Sequence, residues 1–213
     1  MAEESRRSED VTEAVGGYIA TTIPVCVEIT MDHVVLNLGE AEALLRGAGA
    51  IALGPCECRA KRRRCGAPVD VCLTLDRASD QAVEAREGFR RVTVGEALAT
   101  LRATHEAGLV HLAYRKPGLQ AILFCSCCSC CCGHLNTLKR FDYHDAVVES
   151  SRVALHDGGR CVRCGVCMSR CPFEAWTDGS EGPTLHPERC FGCGLCVTTC
   201  PVGAIAFVPR AAV

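Results

Sequence analysis

Nineteen of the 213 residues are cysteine, and their spacing is far from random. Eight lie near the end of the chain in two runs, CVRCGVCMSRCP from Cys161 and CFGCGLCVTTCP from Cys190, offset by 29 residues. Each reads C-x2-C-x2-C-x3-C-P, a run that ligates iron–sulfur cubes. Thiolate is the soft, charged ligand that iron in a sulfide cube prefers. Spacers of two residues let three successive side chains turn inward around one cube. The fourth cysteine points the other way, and Pro172 or Pro201 then ends the loop. Cys161, Cys164, Cys167 and Cys171, with Cys190, Cys193, Cys196 and Cys200, therefore suffice for two cubes. Zinc also takes four thiolates, but its motifs pair two C-x2-C knuckles and do not pack four thiols into one run closed by proline. Gly165, Gly192 and Gly194 let the backbone approach the clusters and offer amide donors to their sulfurs.

Over these two runs, roughly residues 155–208, the chain resembles the bacterial ferredoxins that carry two [4Fe–4S] clusters. The resemblance implies crossed ligation. Cys161, Cys164 and Cys167 would hold one cluster with Cys200, and Cys190, Cys193 and Cys196 the other with Cys171. Phe173 and Trp176, just past the first run, are expected to pack over a cluster and limit its contact with solvent.

Eleven cysteines remain upstream, more than two clusters need. Cys26 stands alone. Cys56, Cys58, Cys65 and Cys72 lie in GPCECRAKRRRCGAPVDVC, and six more crowd into CSCCSCCC from Cys125 to Cys132. The C-x-C pair calls for a turn, for which Gly54-Pro55 is suited. Arg59, Lys61, Arg62, Arg63 and Arg64 place positive charge beside these thiols, which favours thiolate and offsets the charge of a thiolate-ligated centre. Without the cysteines, the same basic run would read as a solvated loop. In CSCCSCCC adjacent cysteines point apart, so two or three are expected to bind metal. The rest would be buried, redox-active or part of a second site, and vicinal disulfides are an alternative. The C-x-C-R start, the later cysteines and the CxCCxCCC run resemble, over roughly residues 50–135, a segment of poorly characterised iron–sulfur proteins of anaerobic bacteria. That resemblance implies iron–sulfur binding with no defined reaction. A third metal centre, iron–sulfur or zinc, is expected in this segment, drawing on Cys56, Cys58, Cys65, Cys72, Cys125, Cys127 and Cys128. His134 is a further candidate ligand or hydrogen-bond donor, whereas His111 reads as a sheet residue.

Short elements must position these groups. CVEITMDHVVLNL, residues 26–38, is rich in β-branched residues and reads as a strand, followed by a short helix in GEAEALLRGAG closed by Gly47 or Gly49. Thr93 and Glu96 fit a capping box at the start of a helix running to Ala107, with Gly108 in the left-handed position that ends it. LVHLAYR and LQAILFC read as strands joined through Lys116-Pro117-Gly118, a hairpin that delivers CSCCSCCC to one end of a small sheet. Residues 135–155 read as partly helical.

The expected fold class is α+β. Residues 1–10 read as disordered, 11–150 as a Cys-rich α/β domain that binds metal, and 151–213 as a ferredoxin-like two-cluster domain. A net charge of −2 gives no basic footprint for nucleic acid. No stretch reaches the roughly 18 apolar residues that span a membrane. The polar start lacks the apolar run of a signal peptide, so a cytoplasmic protein is expected, in which clustered cysteines bind metal more often than they pair. No Gly-rich nucleotide loop, G-x-S-x-G or H-E-x-x-H sequence occurs. The reading is an iron–sulfur electron-transfer protein that works with redox protein partners. Two alternatives are a reductase with its reactive centre in the N-terminal domain and a zinc-ordered interaction module fused to a ferredoxin.

Overall fold

The computed structural model describes residues 32–115, 119–141, 147–180 and 182–212. Cys26, the proposed disordered start, the first part of the 26–38 strand and the Lys116-Pro117-Gly118 connection lie outside the described residues.

Six strands form one antiparallel sheet: β1 (Asp32–Leu36), β2 (Ile51–Pro55), β3 (Asp70–Leu75), β4 (Arg90–Val92), β5 (Val110–Arg115) and β6 (Ala121–Cys127). Their spatial order is β1-β5-β6-β3-β2-β4. Helices α1 (Leu38–Gly47) and α4 (Val94–Glu106) pack on one face. Ala41, Leu45, Ala97, Leu98 and Leu101 meet Leu53, Leu73, Leu75 and Phe124 there. α2 (Glu57–Arg62) follows β2, α3 (Arg77–Ala85) follows β3, and α5 (Gly133–Phe141) follows β6.

The last third contains β7 (Arg152–His156), α6 (Val166–Arg170), β8 (Trp176–Gly179), β9 (Gly182–Leu185), α7 (Leu195–Thr199) and β10 (Ile205–Pro209). β7 pairs with β10 and β8 with β9, both antiparallel. This unit shares a core with the sheet: Val35, Val110, Leu112, Leu135 and Leu138 pack with Phe173, Phe191, Cys193 and Leu195. The mixture of helix and strand agrees with the α+β expectation.

α4 begins as its sequence dictates. Thr93 Oγ1 accepts from the Glu96 amide at 3.2 Å, and the Glu96 carboxylate accepts from the Thr93 amide at 2.9 Å. Gly108 follows at φ +81°. Losing this cap in Thr93→Ala should lower stability by about 1 kcal/mol, while Thr93→Ser keeps it. Paired denaturant titrations read this difference. A second capping box, Asn37 with Glu40, starts α1. Glu40 also accepts from Ser150 Oγ at 2.8 Å and from Ser151, which ties α1 to the entrance of the last third.

Two local expectations are corrected. Gly54-Pro55 makes no turn but ends β2 at a register shift, and Cys56 then serves as the N-cap residue of α2. The chain leaves the sheet directly into helix, so the basic run begins helically, from Arg59 to Arg62, and passes into the following loop at Arg63 and Arg64. Nor do adjacent cysteines necessarily point apart: Cys130 and Cys131 hold their sulfurs 3.8 Å from each other. They sit in the turn that joins β6 to α5, where the backbone lacks the strict alternation of an extended strand.

Candidate metal centres

The eight C-terminal cysteines line two small hollows. One is bounded by Cys161, Cys164, Cys167 and Cys200, with Val162, Val166, Pro201 and Ile205. The other is bounded by Cys171, Cys190, Cys193 and Cys196, with Phe173, Trp176, Phe191 and Phe207. Each hollow thus brings together three thiols of one run and the fourth of the other. The local cause lies in the short helices. α6 and α7 carry the third cysteine of each run and pack against each other, and Cys171 and Cys200, at their C-terminal ends, line the hollow of the other run.

The donor set and its surroundings fit iron–sulfur cubes. Four thiols converge on an apolar hollow, and amides reach their sulfurs: Arg163 N–H to Cys161 at 3.4 Å and Ala204 N–H to Cys200 at 3.2 Å. Burial pushes the Cys193 thiol far up and raises Cys196 to about 12. Neutral thiols are what an apolar hollow favours until bound iron replaces their protons. The hollows differ in exposure. Cys164 is exposed and Val162 beside it is 59% exposed, whereas Cys190, Cys193 and Cys196 are buried. Phe173 and Trp176 cover the second hollow only. Phe173 stacks on Phe191 at 4.6 Å, and Trp176 meets His156 edge-on.

Upstream, the structure divides the expected third centre. Cys65 and Cys128 meet Cys130 and Cys131, two residues outside the predicted set, with all four sulfurs within 4.8 Å of one another. The Ala67 amide is the main cause holding Cys65 down at about 7. Cys72, Cys125 and Cys127 form a separate buried nest with Cys132. Hydrogen bonds from Cys127 and Cys72 hold Cys125 well below the ordinary thiol range. The shared proton pushes Cys127 well above it. This nest follows from strand alternation: Cys125 and Cys127 share one face of β6 while Phe124 and Ser126 share the other. Cys56 approaches Cys125 from the α2 N-terminus, while Cys58 is exposed. His134 stacks on the His33 ring at 3.7 Å, and it borders the second thiol group: its imidazole lies near Cys125 and its backbone amide donates to Cys132.

One buried polar chain had no sequence signal. Thr198 Oγ1 of α7 lies 2.7 Å from His105 Nε2, and His105 Nδ1 lies 3.3 Å from His111 Nε2. His111 Nδ1 lies 3.3 Å from Ser126 Oγ, which donates to Thr104 at 3.0 Å. The chain runs from the helix between Cys196 and Cys200 to the residue between Cys125 and Cys127. Its members are far apart in sequence, so only the packing of α4 against α7 and β5 assembles it.

Burial, aided by neighbouring His105, lowers His111 to about 3. An unfolded histidine titrates near 6.5. The unfolded state therefore binds the extra proton between these values, and stability is lost as pH falls from about 6.5 towards 3. The slope approaches about 1.4 kcal/mol per pH unit midway between these values. Denaturation midpoints at pH 7.5, 6.5 and 5.5 should fall more steeply in the native chain than in His111→Gln.

Residues 160–205 match the family of the 4Fe-4S dicluster domain. That stretch is similar to such domains and carries an iron–sulfur, metal-binding, ferredoxin-type module. A search of curated proteins returned no match. Among the described residues no helix is long and apolar enough to cross a membrane.

Proposed function

We propose that this chain is a cytoplasmic electron-transfer protein with two [4Fe–4S] clusters in crossed ligation. Cys161, Cys164, Cys167 and Cys200 hold one, and Cys190, Cys193, Cys196 and Cys171 the other. The observation that carries this reading is the match of residues 160–205 to the dicluster domain, together with two hollows each lined by four thiols. The clusters supply one-electron storage and release when bound. The chain's residues make the two sites unequal. Solvent near exposed Cys164 stabilises added negative charge, while Phe173, Trp176 and Phe191 withhold water from the second site. The edge carrying Cys164 and Val162 is the face through which a redox protein partner exchanges electrons.

The buried nest of Cys72, Cys125, Cys127 and Cys132 is the proposed seat of a further iron–sulfur centre within residues 11–150. The Thr198–His105–His111–Ser126 chain ties its strand rigidly to the ferredoxin-type half. Anaerobic purification with iron and sulfide analysis tests the whole reading. At least about eight irons per chain are expected from two [4Fe–4S] clusters. Fewer than eight, or zinc alone, overturns it. Counting spins per chain by electron paramagnetic resonance of the fully reduced protein separates two centres from three.

A further inference from the structure

The group Cys65, Cys128, Cys130 and Cys131 stands apart in its dimensions. Its sulfurs all lie within 4.8 Å of one another, with Cys65 to Cys128 at 3.6 Å and Cys130 to Cys131 at 3.8 Å. Four thiolates on one tetrahedral zinc, at about 2.3 Å each, stand about 3.8 Å apart by geometry alone. A cube places its thiolates on four separate irons, which spreads them wider. The same chain supplies the comparison: among the described residues, neither C-terminal thiol set draws together within that limit.

A second observation is independent of the sulfur spacing. Arg59 is 2% exposed and has no carboxylate partner among the described residues. Its guanidinium donates to the Pro68 carbonyl, to the Ser126 carbonyl at 2.9 Å and to Cys128 Sγ at 3.6 Å. A buried cation is costly unless a negative group sits beside it. Arg62 and Arg64 reach the same turn, donating to the carbonyls of Cys131 and Cys130. Four thiolates around a divalent ion leave a net charge of −2; the Arg59 guanidinium lies against one of these thiols, and Arg62 and Arg64 add positive charge on the same turn.

We propose that Cys65, Cys128, Cys130 and Cys131 bind a single zinc ion as a closed structural site, separate from every iron–sulfur centre. Four protein thiolates leave no open position, so the ion orders the chain and performs no chemistry. It clamps the loop between α2 and β3 to the β6–α5 turn, which also fixes the far end of the Cys125–Cys127 strand. The proposal does not rest on the ferredoxin reading, because none of its ligands lies in residues 160–205.

The test uses the full chain purified anaerobically, with zinc and iron counted by mass spectrometry and the zinc environment read by X-ray absorption. One zinc per chain is expected, in a shell of four sulfurs at about 2.3 Å. Cys130→Ser and Cys65→Ser should each lower zinc at least tenfold while iron and the visible absorption of the clusters stay unchanged. Loss of iron in place of zinc, in either variant, overturns the proposal, as does a native protein without zinc. If a variant fails to fold, the native spectrum still decides, since nitrogen or oxygen in the zinc shell also overturns it.

Discussion

Gly192→Ala is expected to prevent assembly of the second cysteine loop. Gly192 lies at φ +72°, and a Cβ there would sit 2.0 Å from the Arg152 carbonyl oxygen and 2.9 Å from Ser150 Cβ. The left-handed backbone alone costs a side chain about 1–2 kcal/mol. The clash is the larger effect, because it is with backbone that cannot rotate away. Residues 149–152 are pinned from several sides. Ser150 N–H donates to the Phe191 carbonyl at 3.1 Å, and Arg210 donates to the carbonyls of Ser150 and Cys190 at 3.0 and 2.7 Å. Glu40 holds Ser150 and Ser151 from α1. The variant should therefore lose at least half of its iron and aggregate or unfold well below the native melting temperature. Gly158→Ala is the control, since a Cβ there meets nothing within 4 Å. Native iron content and thermal stability in Gly192→Ala would disprove the close approach.

The second large effect tests the crossed ligation through paired substitutions. Cys161 and Cys200 line one hollow, so their joint replacement by alanine should remove one cluster, about four irons per chain. Cys161 and Cys171 belong to the same run but line different hollows. Replacing that pair should remove both clusters, about eight irons. Ligation within each run predicts the reverse, with Cys161 and Cys171 losing four and Cys161 and Cys200 losing eight. Iron counted per folded chain decides between them, provided circular dichroism shows that the six-stranded sheet persists.

How much of this was legible beforehand depends on how far apart in the chain the interacting groups lie. The α4 capping box was readable because Thr93 and Glu96 are three residues apart and meet in any helix that starts there. The β5–β6 hairpin was readable because its strands are adjacent and their alternation is local. The start of α2 was misread, since whether Gly54-Pro55 turns or continues depends on β3 and β4 pairing alongside β2. His134 was legible as a neighbour of the cysteine run, whereas its stacking on His33, about a hundred residues away in sequence, was not.

The sequence by itself pointed to an iron–sulfur module over its last cysteine runs, because eight thiols at one repeated short spacing can curl around little else. It also showed that thiols upstream were in excess. Only the tertiary structure decided how those upstream thiols divide. Cys65 joins Cys128, Cys130 and Cys131 across a loop, and Cys72 joins Cys125, Cys127 and Cys132 across a sheet. The physical reason is that ligand sets are chosen by distance in space. Spacing along the chain reveals that distance only when one short loop supplies most of the ligands. Where two segments more than fifty residues apart contribute, the pairing of β3 with β6 makes the choice.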